Sequence, residues 1–367
     1  MTMYRMVGLA ACLAAALPAF ALDQSDYRFN GFGTAAVTRL GGEADGRSYG
    51  MQGQTNDSWR GDELSKLGGQ FQYGITDSLD ITAQVIAQAE HDSWEANLEW
   101  LYASLQATDR LVLRGGRLRN PVYMYSETLD VGFTYPWLRL PDEVYHQVQI
   151  SNYEGLDAIY TLPLSYGSVS LQANAGKALN RDYFLYDTVA DMDYRKIAGA
   201  NLSLATNAFG TVRLSYSEAD LTLDGLLDGQ KGKFTSLGYQ FDNGTWLTAN
   251  EATRLVMEGP VASKNAFYLM GGRRFGNFLP HLTYAQLDEE KGGGRQVSWT
   301  YGLNYSLLPN VTLKGEYKRV DTSSEGEGVF VKTGAEYYRE QVLKGSFGIP
   351  APTYDGDIVS VGIDFVF

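Results

Sequence analysis

The feature that most constrains this chain is the way its connections alternate. From about residue 27 to Phe367 the sequence divides into segments of period-2 polarity, joined in two ways. Seven joints are tight: 76–78, 107–110, 163–167, 206–210, 242–244, 276–277 and 308–310. Asn243-Gly244 is a strong hairpin signal, and Pro309-Asn310 suits a tight turn. Eight joints are polar and mostly longer, at roughly 40–61, 90–93, 120–146, 179–194, 220–233, 257–265, 288–295 and 321–356. Tight and long joints interleave, and only 90–93 among the second set is short. The pattern predicts sixteen antiparallel strands with their tight turns at one end and their loops at the other. A soluble β-sandwich does not sort its loops by side, whereas a transmembrane β-barrel does. The expected fold class is therefore all-β: a transmembrane antiparallel barrel of about sixteen strands, with the third loop folded into the lumen.

The segments agree in detail. In "QVSWTYGLNYSLL", Val297, Trp299, Tyr301, Leu303, Tyr305 and Leu307 share one face, and Ser298, Thr300, Gly302, Asn304 and Ser306 the other. In "VTLKGEYKRV", Val311, Leu313 and Tyr317 oppose Lys314, Glu316 and Lys318. Alternation at period 2 gives each strand an apolar and a polar side. The C-terminus "DIVSVGIDFVF" alternates to the last residue, where most chain ends are polar and fray. It reads as a closing strand that pairs with the first, around Phe29 to Thr38, and so removes both sheet edges. Aromatics beside the tight turns, such as Phe71, Tyr73, Phe209, Phe241, Trp246, Phe275 and Phe278, suit one membrane interface.

The N-terminus supplies an address. Arg5, an apolar run from Met6 to Ala16, and Ala19-Phe20-Ala21 read as a secretory signal cleaved after Ala21. Residues 22–367 then form one domain, with localisation expected in a bacterial outer membrane. Cys12, the single cysteine, is taken as part of the apolar run rather than a lipidation site, so no disulfide framework is expected. A formal charge of −13 argues against a nucleic-acid partner. "GFGTAA" from Gly31 fits a dinucleotide pattern but lies inside a strand, where that pattern has no helix to open. No cofactor or metal is expected, and the acidic stretches 187–193 and 220–228 read as solvated loops.

The chain resembles the Gram-negative general porins in its leader, strand number, side-sorted loops and terminal Phe367. The resemblance implies a water-filled channel, a homotrimer, lipid and lipopolysaccharide as surroundings, and recognition of Phe367 by the barrel-assembly machinery. Gly31, Gly33 and Ala35 would then lie at a subunit contact. The run Leu113 to Tyr145 looks like strand five entering the third loop, without the Pro-Glu-Phe-Gly of better-known members.

The candidate site follows from charges. Arg114, Arg117 and Arg119 form a basic cluster on strand five, and Glu127, Asp130, Asp142 and Glu143 lie on the loop after it. A basic wall opposed by an acidic loop would set a transverse field in a pore constriction. Strict alternation puts Arg117 and Arg119 on the face of Leu111 and Leu113, so a β-bulge at Gly115-Gly116 is expected to turn all three arginines inward. Tyr123, Tyr125, Phe133, Tyr135, Trp137 and Tyr145 would anchor the loop. The leading function is passive diffusion of small hydrophilic solutes and ions, with no enzymatic activity. A selective porin for a sugar or small anion is the runner-up. The third reading is an outer-membrane enzyme, for which Ser126 or Ser151, His146 and Asp142 could be drawn as a triad.

Overall fold

The computed structural model describes residues 22–42, 47–50, 55–90, 93–185, 187–290, 294–323, 328–331, 333–349 and 353–367. The expected leader, 1–21 with Cys12, lies outside the described residues.

Sixteen strands carry the fold. They are β1 Tyr27–Gly41, β2 Lys66–Thr76, β3 Leu79–Glu90, β4 Ser93–Thr108, β5 Leu111–Arg119, β6 Asn152–Leu164, β7 Gly167–Leu185 and β8 Thr188–Thr206. The second half comprises β9 Gly210–Leu223, β10 Leu227–Asp242, β11 Trp246–Met257, β12 Lys264–Arg273, β13 Phe278–Glu289, β14 Gly294–Leu308, β15 Val311–Thr322 and β16 Gly356–Val366. Each pairs antiparallel with its sequence neighbours, and β16 pairs with β1 to close the barrel. Among the described residues, two α-helices lie in loops: α1 Asp142–Tyr145 and α2 Gly334–Phe347. Among the described residues no helix is long and apolar enough to cross a membrane.

The alternation sorts the side chains as expected. Leu101, Leu113, Leu156, Leu171, Leu202, Leu237, Leu269, Tyr301 and Val361 are exposed on the outer face. Thr38, Gln84, Asn174, Ser236, Ser298 and Ser360 are buried on the inner one. Every ladder hydrogen bond is internal, which is what allows a sheet to stand in hydrocarbon.

Closure runs to the last residue. Phe367 donates its N–H to Gly31 O at 2.9 Å, and Gly31 N–H returns to Phe367 O at 2.8 Å. A Cβ on Gly31 would collide with the Phe367 ring, and one on Gly33 would lie 2.5 Å from the Phe365 ring. These glycines are covered from within the chain by Phe367 and by Phe365 of β16. That accounts for their size without the subunit contact expected of them; Ala35, next on this face, is exposed.

Three loops differ from the sequence expectation. Residues 179–194 and 220–233 are not open loops. β7 runs on to Leu185 and β8 begins at Thr188, and β9 and β10 run on to a turn at 224–226. The reason is apolar packing above the rim: Met192, Tyr194, Leu221, Leu223 and Leu227 are buried together with Leu118, Ile150 and Tyr153. The third loop is longer than read, because pairing resumes only at Asn152.

Candidate functional site

The third loop, 120–151, is tied to the barrel by many polar contacts. β5 stops at Arg119, and Pro121 has no N–H with which to continue a ladder. The chain then makes tight turns at Ser126–Thr128 and Gly132–Thr134 and the short helix α1.

Its aromatics pack as a block. Tyr123, Tyr125, Tyr135, Trp137 and Tyr145 are buried with Phe234, Leu247, Ala249, Tyr268, Met270 and Leu287 of β10 to β13. Here the inner face is mixed, its apolar residues meeting the loop aromatics beside buried Ser236, Glu251 and Thr283. Trp137 and Tyr268 meet edge-on at 5.4 Å. The loop also approaches the wall backbone closely: a Cβ on Gly238 would lie 3.0 Å from Met124.

Polar groups fix the block to the wall. Lys314 Nζ donates to the carbonyls of Gly132, Tyr135 and Trp137 at 2.8, 2.7 and 2.9 Å and pairs with Asp364 at 2.6 Å. Glu316 accepts from Leu138 N–H at 2.8 Å. Glu251 accepts from Met124 N–H and Tyr145 O–H, both at 2.9 Å, and from Ser236 O–H at 2.5 Å. Trp137 Nε1–H donates to Thr283 Oγ1 at 2.8 Å, and Asn304 Nδ2–H donates to Pro136 O at 2.8 Å. Buried carboxylates and ammonium groups persist only with such partners.

The seven candidate charges separate into three places. Arg114 bonds Asp157 through Nε at 2.9 Å and stands 3.7 Å from Glu127. Arg119 is buried, pairs with Asp130 and lies 3.6 Å from Glu99. These two arginines do meet loop acids. Asp142 and Glu143 do not; they pair with Lys318 of β15 at 2.8 and 3.4 Å. Arg139 lies 3.8 Å from Asp142 and 2.7 Å from Glu63.

Arg117 corrects the sequence expectation. Pairing is regular through Gly115 and Gly116 on both sides of β5, so no extra residue shifts the alternation. Gly116 has φ 139°, a value glycine adopts readily, without changing the register. Arg117 stands opposite Leu101 and Glu154, on the face of Leu113 and Leu156. It is satisfied there by Glu154 Oε1 and Leu98 O at 2.9 and 3.1 Å. A carboxylate neighbour, rather than a bulge, resolves the cost of an outward arginine.

Burial alone would raise the Asp142 carboxyl, but Lys318, His146 and Arg139 outweigh it and hold it well below the ordinary range. Asp130 is likewise lowered against burial, by Arg119 and Lys66. The drawn triad is not assembled. Ser126 Oγ accepts from Tyr123 N–H, Ser151 Oγ donates to Glu99, and His146 faces Asp142 at 3.1 Å.

Lys314, Glu316, Lys318, Glu251 and Asp364 escaped sequence reasoning as site residues. One signal was available: β12 lacks the clean alternation of β14, because Ala266, Tyr268 and Met270 meet the loop while Leu269 is exposed on the other face.

No family model matches the chain, and no curated protein sequence matches it. Solved structures do. An anion-selective porin from Comamonas acidovorans superposes with a TM-score of 0.61 at 15% identity, over 94% of this chain and 100% of that one. Salmonella typhi OmpF, in a complex with daunomycin, gives 0.61 at 15% identity over 94% and 98%. The outer-membrane channel DcaP of Acinetobacter baumannii gives 0.59 at 11% identity over 95% and 99%. With its closed ring of sixteen antiparallel strands, the chain has the fold of the Gram-negative outer-membrane porins.

Proposed function

We propose that this protein is an outer-membrane porin, a water-filled channel through which small hydrophilic solutes and ions diffuse passively. The observation that supports the reading is a closed barrel of sixteen strands, wide enough to hold a channel, with the third loop hydrogen-bonded to Lys314, Glu316 and Glu251. A channel of this width needs a constriction to discriminate solutes, and in this reading the third loop makes it. In this reading residues 1–21 are a cleaved leader, the working form is a homotrimer, and no chemistry is catalysed.

Selectivity follows from how the charges are used. Arg114, Arg119, Arg139, Lys314 and Lys318 each have a carboxylate partner in contact. Glu251 and Glu316 are held instead by N–H and O–H donors. The anion preference named for the Comamonas porin is not carried over to this chain. Refolded protein in a planar bilayer should give stepwise, ohmic conductance and admit small sugars into liposomes. Absence of conductance steps from correctly folded protein would overturn the reading.

A further inference from the structure

Near the tight-turn end of β10 to β13 the outer surface is interrupted by a groove of about 590 Å³. Phe241, Trp246, Pro280 and Leu282 line it, Gly271 forms part of its floor, and Arg273 stands at its edge. Its origin is local. Pro280 has no N–H, and the β12–β13 ladder ends one pair earlier, at Gly272 and His281. Beyond that point only the Phe275–Phe278 bridge joins the two strands. At Gly271, on the face of exposed Leu269, a Cβ would meet nothing within 4 Å. The belt of leucines therefore has a gap where a side chain of ordinary size would have filled it.

Arg273 is exposed, and its guanidinium carbon lies 4.9 Å from the centroids of both the Trp246 and the Phe275 rings. Two aromatic rings hold a cation at the level of the tight turns while its N–H fork stays open. The neighbouring Arg274 is used differently: it pairs with Asp242 at 2.6 Å. An apolar groove that ends at a held cation complements one chemistry, an acyl chain attached to a phosphate.

We infer that this groove is a phospholipid site, in which one acyl chain lies over Gly271 between Trp246 and Leu282 and the headgroup phosphate is met by Arg273. The inference goes beyond the channel function, since Trp246, Gly271, Arg273 and Leu282, which carry it, lie on the outer face. It gives Pro280 and Gly271, both poor strand formers, a shared purpose.

Native mass spectrometry of the refolded full-length barrel with added phosphatidylglycerol tests it. The wild type should retain one lipid in excess of nonspecific adducts. Arg273→Ala should weaken retention roughly tenfold or more, the scale of losing a hydrogen bond to a charged group. Gly271→Leu, which fills the gap without touching the charge, should also remove the bound lipid. Arg254→Ala removes an exposed outer-face arginine elsewhere on β11 and should leave retention unchanged. Equal retention in all four proteins would overturn the site. Displacement of the lipid by inorganic phosphate would also overturn it, by showing only an adventitious anion contact at Arg273. A Gly271→Cys variant that cross-links between copies would make this face a subunit contact and refute the lipid assignment. Lipid retention and bilayer conductance are separate readouts, so failure of one does not stand in for failure of the other.

Discussion

Lys314→Met removes one charge and little volume, and the structure says where the loss is felt. The Lys314 ammonium has three protons and is surrounded by four oxygens: three loop carbonyls at 2.7 to 2.9 Å and Asp364 at 2.6 Å. Lys314 is 3% exposed and Asp364 0%, so water does not easily replace the lost donor. Removing one partner of a buried charge pair costs about 3–5 kcal/mol, most of it the charge left behind. The barrel ladders do not depend on this contact, so the cost should fall on the attachment of residues 132–137. Local opening of that segment should become roughly two to three and a half powers of ten more frequent, at about 1.4 kcal/mol per decade. Hydrogen exchange read by mass spectrometry on peptides from 129–139 should show lost protection there and intact protection in β14 and β16. Single-channel conductance should rise and become noisier as the loop leaves the wall. The double change Lys314→Met with Asp364→Asn should recover part of the protection, because Thr34 can still hydrogen-bond a neutral amide at 364. Unchanged exchange in 129–139, or a uniform loss of protection around the whole barrel, would refute the idea that Lys314 is a local anchor.

Three further outcomes follow from the same geometry. Arg117→Glu should move the reversal potential less at low salt than Arg114→Glu, because Arg117 is paired with Glu154 on the face of Leu113 while Arg114 meets Glu127 of the loop; comparable shifts would contradict that difference. Asp142 has a depressed carboxyl, so its contribution is present above the ordinary value of 3.8 and is lost as the pH falls toward the lower folded value. Acidification to about pH 3 should therefore begin to loosen 139–146 in the wild type and not further in Asp142→Asn, read by exchange on that peptide. Deletion of Phe367, or Gly31→Val, which collides with its ring, should lower the amount of folded protein in outer membranes; normal levels of both would mean that the closing seam is not limiting for assembly.

Much of this protein was legible in the sequence because a barrel in lipid leaves few choices. Period-2 polarity and side-sorted joints determined the strand number, the antiparallel order and the closure of "DIVSVGIDFVF" on the first strand, since every backbone group must be paired internally. Arg114, Glu127, Arg119 and Asp130 could be placed together because they flank one strand end and the loop leaving it. What stayed hidden depended on contacts far apart in the chain. Lys318 meets Asp142 across 176 residues, and Lys314 meets Gly132 across 182, and no local pattern encodes such pairs. Arg117 shows the same limit at short range. Alternation gave its face correctly, but a charge on the lipid side argued for a bulge. Only the neighbouring strand, which sets Glu154 directly opposite, showed that the conflict is settled by pairing. The outer hairpins and the path of the third loop were decided by burial of side chains such as Tyr194, Leu221 and Trp137. Burial is a property of what packs above a residue, and in this fold that is supplied by distant strands.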